Sequence, residues 1–161
     1  MATATTTRPP YAAYATIMGV YAGGLGVAGA LARILDRNPA CQTPLDLAVL
    51  SAASFKGART LARDEVTSFL REPFVRGHAH KGDDEEPVET GDWEQAIGEL
   101  VTCSRCVGTW VAAALATTQI IAPRFGRLLT WSLAAAGIND WLQAAFAALT
   151  EKANELEQRS G

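Results

Sequence analysis

Charge is distributed very unevenly along this 161-residue chain. Residues 11–32, 107–122 and 128–139 contain no Asp, Glu, Lys or Arg, whereas charge is dense in residues 56–99 and after residue 150. About 20 consecutive apolar residues suffice for a helix to cross the roughly 30 Å hydrocarbon core of a bilayer. The pattern predicts an all-α integral membrane bundle of three to four transmembrane helices with a polar cytoplasmic loop.

Composition narrows the classes of protein further. The formal net charge is only -3, so no basic excess indicates a nucleic-acid partner. Three cysteines, Cys41, Cys103 and Cys106, are too few for a disulfide scaffold. Because alanine is plentiful and only weakly apolar, a water-soluble alanine-rich helical bundle remains the alternative to a membrane protein.

The first transmembrane helix is predicted over residues 11–35, after a disordered N-terminus at residues 1–10. Tyr11 and Tyr14 are typical of a membrane interface. Small residues four apart allow two membrane helices to approach closely, which makes one face of this helix a packing surface. That face consists of Gly19, Gly23 and Gly26.

A second long helix is predicted over residues 45–70. Lys56, Arg59 and Arg63 fall within about 60° of each other on it, so they form one basic stripe. Such a stripe turns toward the protein interior, water or headgroups, so the segment either spans the membrane or lies on its surface. Spanning gives four crossings and an internal N-terminus; a surface helix gives three crossings and an external N-terminus.

The polar loop is predicted at residues 72–99, with Asp92 as a helix cap and the acidic run 83–86 as a solvated segment. The region from residue 63 to residue 105 holds five Lys or Arg residues, against two in the turn at 124–127, which places the loop and the C-terminus in the cytoplasm. The last apolar stretch ends near residue 149, and residues 150–161 form a charged tail.

Asp140 lies near the middle of the last apolar helix, where a lone carboxylate costs at least about 2.5 kcal/mol on insertion scales. In a four-crossing arrangement, Lys56 and Asp140 each lie 12 residues below the external ends of their helices, roughly 18 Å deep. We therefore predict a buried Lys56–Asp140 ion pair, with Arg59 as the alternative cation. A proton or ion relay is the functional alternative to structural pairing.

Cys103 and Cys106 have the spacing of redox dithiols and of half a zinc site. They stand at a helix start, where the macrodipole lowers a thiol pKa. A zinc site would need further ligands, for which His78 and His80 are the nearest candidates. No cofactor is predicted, and zinc is the metal that the cysteine spacing suggests.

Three stretches together resemble a known family. They are ARDEVTSFLREPF at residues 62–74, GELVTCSRCVGTW at 98–110 and NDWLQAAF at 139–146. They are similar to an uncharacterised bacterial membrane family labelled domain of unknown function thirteen-sixty, some of whose members are named sporulation proteins. The resemblance covers residues 45–149 and implies an integral membrane protein without an assigned reaction.

The resemblance also implies one cytoplasm-facing cluster of side chains. Relatives read Cys-Pro-x-Cys in the middle stretch, where this chain has Ser104, and this difference weakens a redox role. The cluster consists of Arg63, Asp64, Arg71, Cys103, Cys106 and Asp140.

Function is less constrained than fold. No Ser/His/Asp pattern, P-loop or dinucleotide fingerprint is present, which favours a non-enzymatic protein over an enzyme. Our first hypothesis is a multi-pass protein of the bacterial inner membrane that scaffolds or binds a membrane protein partner. The alternatives are a metal- or thiol-dependent membrane factor using Cys103 and Cys106, and a homo-oligomeric channel or transporter subunit assembled through the first helix.

Overall fold

The computed structural model describes residues 9–37, 42–77 and 85–160, apart from the side chain of Ser160. Within them the chain is all-α except for one pair of two-residue strands. The elements, in chain order, are α1 (Tyr11–Ile34), α2 (Pro44–Arg63), α3 (Ser68–Arg71), β1 (Val75–Arg76), β2 (Glu86–Pro87), α4 (Trp93–Thr102), α5 (Ser104–Ile121) and α6 (Pro123–Ser160).

Helix α1 begins after Pro10 and ends at Ile34. Two residues later, Asp36 has a left-handed backbone conformation with φ 50°. The N–H of Arg37 donates to the carbonyl of Ala32 at 2.8 Å, which satisfies one of the free carbonyls at the helix end. The predicted boundaries, 11–35, therefore agree with the structure to within one residue. Residues 1–8, most of the predicted disordered N-terminus, lie outside the described part of the chain.

Helix α2 starts at a capping box. The Asp46 N–H donates to Thr43 Oγ1 at 3.2 Å, and the Thr43 N–H donates to Asp46 Oδ2 at 2.9 Å. Pro44 occupies the first helical position, where its missing N–H costs nothing. The start is close to the predicted residue 45, but the predicted end at residue 70 is wrong.

The chain leaves the helix at Asp64, whose backbone is extended with ψ 140°. Two short helical turns and α3 follow before the antiparallel strand pair, in which Val75 faces Pro87 and Arg76 faces Glu86. Helix α4 begins at Trp93, inside the predicted polar loop 72–99, at the place where a new helix was predicted to start. Asp92 is its N-cap as predicted, and its side chain accepts from the Glu94 N–H.

The core lies between α2, α5 and α6. Ala53, Leu115 and Ala134 are buried at its centre. A Cβ placed on Gly57 would lie 2.9 Å from Val111 Cγ1, and one on Gly108 would lie 3.6 Å from Ala58 Cβ. These small residues let α2 and α5 approach closely, and the order of the contacts shows that the two helices are antiparallel.

Helix α6 is antiparallel to α5, which precedes it, and parallel to α2. A Cβ on Gly137 would lie 3.1 Å from the Ala52 carbonyl oxygen, and Phe55 packs on Trp141 with ring centroids 6.0 Å apart. Pro123 is its first residue, and the helix continues to residue 160 through the predicted charged tail. At 1.5 Å per residue it is about 57 Å long.

Helix α1 lies on the outside of this core and runs parallel to α5. Tyr21 packs edge-on against Trp110, with ring centroids 5.1 Å apart, and Tyr14 donates to Glu99 of α4. Among the described residues, α1 alone is long and apolar enough to cross a membrane by itself. Helices α4 and α5 meet the same condition only when taken together, and they are bent by 83° at Cys103.

Candidate functional site

Polar side chains gather at the end of the bundle where α2 ends and α5 begins. The Nζ of Lys56 lies 2.8 Å from Asp140 Oδ2 and 3.9 Å from Asp64 Oδ2. The Lys56 side chain is 20% exposed and that of Asp140 40% exposed, so the pair sits at the partly open edge of the α2–α6 contact. Lys56 therefore neutralises Asp140 and lies between two carboxylates.

Arg59, the alternative cation, is exposed, and among the described residues no side chain pairs with its guanidinium. The difference between the two cations follows from helix geometry. Lys56 stands one turn after Ala52 on the face that packs against Gly137, whose added Cβ would lie 3.2 Å from Lys56 Cβ. Arg59 projects from the same helix into an open cleft, together with Arg63 and Asp64.

The most deeply buried charges are Arg71 and Glu85. The guanidinium donates from Nε to Glu85 Oε2 at 2.5 Å and from Nη2 to Glu85 Oε1 at 3.2 Å. Both side chains are 1% exposed. Glu85 directly precedes β2, so this bidentate pair joins the end of α3 to the start of β2.

Arg71 also caps the end of α2. Its Nη1 donates to the Leu61 carbonyl at 2.7 Å and to Thr67 Oγ1 at 2.9 Å, and both terminal nitrogens donate to the Asp64 carbonyl at 3.2 Å. The last carbonyls of a helix have no partner within the helix. One arginine therefore fixes the helix end, the turn that follows it and the returning loop.

The two cysteines meet at the bend between α4 and α5. Cys103 is the N-cap of α5, and its Sγ accepts from the Cys106 N–H at 3.3 Å. A hydrogen bond from the Cys106 thiol, together with backbone N–H groups, lowers the pKa of the Cys103 thiol. The same hydrogen bond raises the pKa of Cys106 to about 11. Cys103 is thus the more readily ionised member of the pair.

Helix α1 docks beside these cysteines through its first two turns. Glu99 accepts from Tyr14 Oη through one oxygen and from Gln95 Nε2, at 2.8 Å, through the other. Tyr14, Glu99 and Cys106 line one apolar groove of about 350 Å³. Cys106 therefore faces α1, while Thr109 lines both this groove and the cleft that holds Arg59.

The six residues of the expected cluster occupy two neighbouring places. Asp64 contacts Lys56 through its carboxylate and Arg71 through its carbonyl, and Lys56 in turn holds Asp140. Arg63 lies with Asp64 along the cleft, whereas Cys106 lies in the groove beside α1. The structure thus brings the charged members together and separates them from Cys106.

The expected metal ligands are only partly described. His78, His80 and Cys41 lie outside the described residues, and within the described ranges no three His, Cys, Asp or Glu side chains are grouped as a metal would need. The predicted packing glycines of α1 have no close neighbour among the residues that the structure describes, since a Cβ on Gly19, Gly23 or Gly26 would meet nothing within 4 Å.

Sequence reasoning missed the role of Glu85. The acidic run 83–86 was expected to be a solvated segment. For Glu85 that expectation is wrong, because the whole residue, backbone included, is only 8% exposed. An observable signal was Arg71 at the end of an apolar helix, because a buried guanidinium requires a carboxylate nearby. The arginine cleft was also not predicted, because it depends on the helix crossing between α2 and α5.

Comparison with known proteins agrees with these motifs. No solved structure matches the chain significantly. "Sporulation protein YjcA" of Bacillus subtilis (strain 168) is 34% identical over 113 residues, which cover 62% of this chain and 95% of the relative. "UPF0713 protein YngL" of the same organism is 28% identical over 109 residues, which cover 63% of this chain and 78% of the relative.

A family model described as "Protein of unknown function (DUF1360)" matches residues 49–146. The matched region begins in α2 and ends in α6, so it contains Lys56, Arg71, Cys103 and Asp140, while α1 precedes it. The family assigns no biochemical role. This chain belongs to the DUF1360 family.

Proposed function

We propose that this chain is a small multi-pass protein of the bacterial cytoplasmic membrane that crosses the bilayer four times and scaffolds a partner protein. The distribution of side chains over the bundle carries this proposal. Large apolar side chains cover its outside, while the Lys56–Asp140 ion pair lies between two of its helices. A lipid-embedded bundle shows this arrangement, because its few charges turn inward and pair with one another.

Helix α1 gives the strongest support. It is apolar on all sides, yet Ala13 and Ala32 are its only buried residues. Water would not tolerate so much exposed apolar surface on a 24-residue helix, whereas a lipid bilayer stabilises it. Helices α2 and α6 also carry exposed large apolar side chains, namely Leu45, Leu47, Phe55, Leu128, Ile138 and Leu142.

The directions of the helices support four crossings rather than three. Helices α1 and α5 run one way and α2 and α6 the other, so the start of α1 lies at the same end as the polar segment between α2 and α5. That end, the residues before α1 and the tail carry nine Lys or Arg residues, against four at the opposite end. The nine are Arg8, Arg59, Arg63, Arg71, Arg76, Lys81, Arg105, Lys152 and Arg159; the four are Arg33, Arg37, Arg124 and Arg127. The excess favours a cytoplasmic location for the polar end.

Cysteine accessibility tests this topology. In a background with Cys41, Cys103 and Cys106 replaced by Ser, single cysteines are placed at Thr5, Glu89, Arg124 and Glu155. A membrane-impermeant thiol reagent is expected to label only R124C in intact cells, and all four after permeabilisation. Labelling of T5C in intact cells would show that the N-terminus is external and that the chain crosses the membrane three times, not four. A folded, detergent-free product in the supernatant after high-speed centrifugation would overturn the membrane assignment.

The scaffold part of the proposal is supported by the far end of α6. Every residue from 141 to 159 is exposed, including Trp141, Phe146 and Leu149. The helix therefore projects beyond the bundle with both apolar and charged side chains available. A photo-crosslinking amino acid at Glu155 in native membranes is expected to give a discrete protein adduct, with Arg124 as the matched position at the other end. Absence of a protein adduct from Glu155 would contradict binding through the tail.

The cysteine pair favours a thiol-dependent factor as the second candidate. Cys103 and Cys106 are in direct contact, and the lowered pKa of Cys103 increases its thiolate fraction at neutral pH. A thiolate is the form that attacks a disulfide or binds zinc. Elemental analysis of the purified full chain, with thiol titration alongside, tests it: stoichiometric zinc that disappears in C103S would favour this role. Three freely titrating thiols with no metal would leave the scaffold as the better description.

A further inference from the structure

An open cleft of about 970 Å³ lies between the end of α2 and the start of α5. Three arginines reach it from both sides: Arg59 and Arg63 from α2, and Arg105 from the first turn of α5. Among the described residues, Asp64 is the one carboxylate on the wall, and it lies 3.9 Å from Lys56. Arg59 and Arg105 therefore give the cleft a positive charge that no described carboxylate neutralises.

The guanidiniums of Arg59 and Arg105 have no partner in the part of the chain that the structure describes. Within the described ranges, no side chain accepts a hydrogen bond from Arg59 or Arg105, and both residues are exposed. Buried arginine elsewhere in the molecule is fully paired, as Arg71 shows with Glu85. Two arginines converging on one cavity from different helices thus present donors that are available to a ligand.

Two further features of the wall select the kind of ligand. Helix α5 is 18 residues long and begins at Ser104 on the cleft, so the positive end of its macrodipole faces the cavity. Arginine presents its N–H groups as a planar fork that matches the oxygens of a phosphate. Both features favour a compact oxyanion over a neutral or cationic molecule.

We propose that this cleft is a binding site for a phosphate group, carried either by a lipid headgroup or by a soluble phosphate compound. Arg59 and Arg105 hold the phosphate oxygens from opposite walls. Phe55, Ala58 and Gly108 form the apolar part of the wall below the arginines. This wall would accommodate the glycerol and first methylenes of a lipid whose phosphate lies between the guanidiniums.

The test uses the full chain purified in a non-ionic detergent and three probes. Phosphatidylglycerol supplies a lipid phosphate, diacylglycerol supplies the same chains without phosphate, and inorganic phosphate supplies the soluble anion. Binding is followed by native mass spectrometry for the lipids and by titration calorimetry for inorganic phosphate. The variants are R59Q, R105Q and their combination, with R124Q as the matched control at the opposite end of the bundle.

We expect phosphatidylglycerol to bind and diacylglycerol not to bind. Each cleft substitution should weaken binding by about tenfold or more, because each removes a hydrogen bond between charged groups. R124Q should leave the affinity unchanged. Inorganic phosphate that binds with the same dependence on Arg59 and Arg105 would also support the site and would identify a soluble ligand as its source.

Equal binding of diacylglycerol and phosphatidylglycerol would overturn the proposal, as would an affinity that the double variant does not reduce. Because Arg59 and Arg105 are exposed, their substitution leaves the core intact, and an unchanged thermal unfolding temperature without ligand verifies this. The measurement is made on purified protein, so its outcome is independent of the number of crossings and of the partner protein.

Discussion

Lys56 Nζ lies 2.8 Å from Asp140 Oδ2, and this contact joins α2 to α6 across 84 positions of the chain. The two helices are parallel, and both begin at the end of the bundle that carries Pro44 and Pro123. The ion pair therefore fixes their relative height and rotation. It also leaves neither charge alone within an otherwise apolar contact.

The first prediction concerns the coupling of these two residues. Asp140→Ala alone should destabilise the chain because it leaves the ammonium of Lys56 without its nearest partner. The double variant with Lys56→Ala should recover part of that loss. The pair is partly exposed, so its coupling energy should lie between those of surface ion pairs and of buried ion pairs. We expect a value of about 1 to 3 kcal/mol. A double-mutant cycle on the free energy of unfolding in detergent measures it.

The matched control is the Lys152–Glu155 pair on the exposed tail, whose atoms lie 2.9 Å apart. Its coupling should be about 0.5 kcal/mol or less, as for other exposed helix pairs. A cycle at Lys56 and Asp140 that gives no more than this value would show that the pair does not stabilise the bundle.

The second prediction concerns Arg71. Arg71→Ala should cost about 3 to 5 kcal/mol of unfolding free energy, because it leaves the carboxylate of Glu85 buried without a partner. Arg71→Lys should recover only part of this loss, since an ammonium cannot reach Glu85 and the carbonyls of Leu61 and Asp64 together. Denaturant unfolding followed by tryptophan fluorescence provides the measurement.

Glu85→Gln and Glu86→Gln provide the comparison for Arg71. Glu86 is the exposed neighbour of Glu85, and its substitution should change the stability by less than about 0.5 kcal/mol. Equal effects of the two substitutions would contradict the view that the Arg71–Glu85 pair anchors the loop.

The third prediction concerns the pH dependence of the thiols. The pKa of Cys103 is lowered below the ordinary thiol value of 9.0, and that of Cys106 is raised to about 11. Both cysteines precede residue 107, where the uncharged part of α5 begins. As pH rises, the thiolate of Cys103 therefore forms first. Alkylation near pH 8, followed by mass spectrometry, should modify Cys103 before Cys106, although Cys106 is the more exposed of the two.

Two variants separate the causes of this order. Cys106→Ala removes the hydrogen bond that lowers the pKa of Cys103, so the alkylation profile of Cys103 should move to higher pH. Cys106→Ser keeps a hydroxyl donor and should move it less. If exposure alone sets reactivity, Cys106 will react first at every pH and neither variant will shift the profile.

The fourth prediction contrasts two kinds of glycine. A Cβ on Gly126 would lie 2.5 Å from the Gln119 backbone nitrogen, so Gly126→Ala should cost about 2 kcal/mol or more. Gly23 has open space around it, and Gly23→Ala should leave the single chain unchanged or stabilise it by up to about 1 kcal/mol. Thermal unfolding in detergent compares the two.

The same glycine also tests assembly of the chain into oligomers. If α1 packs against a second copy through Gly19, Gly23 and Gly26, Gly23→Leu should abolish crosslinked dimers in native membrane. Monomers alone in the unmodified protein would remove the channel hypothesis, which requires such an assembly.

The sequence predicted well those features that depend on one helix and its periodicity. The bounds of α1, the cap at Asp92 and the start of α2 all follow from local patterns of apolar and capping residues. The contact of Lys56 with Asp140 was predicted by counting 12 residues from Pro44 and 12 from Leu128. The structure shows the contact although α6 begins five residues before Leu128, at Pro123.

The features that sequence reasoning missed depend on how separate segments meet. The end of α2 at Asp64 is set by Arg71 and Glu85, which approach from 7 and 21 residues away, and no helical period encodes that contact. The 83° bend at Cys103 was likewise not predicted; it makes Cys103 the N-cap of α5 and leaves Cys106 in the first turn of that helix. The cleft lined by Arg59 and Arg105 exists only because α2 and α5 cross beside it.

Helix α6 is continuous from Pro123 to Ser160, and Lys56 contacts it near its midpoint, at Asp140. Beyond Asp140 the helix extends for 20 more residues, or about 30 Å, without a proline or glycine at which it could bend. A rotation of the helix by about 10° around the Lys56–Asp140 contact would displace its C-terminal end by roughly 5 Å. Small rearrangements among the packed helices would therefore move the C-terminal end of α6 by a larger distance than they move its middle.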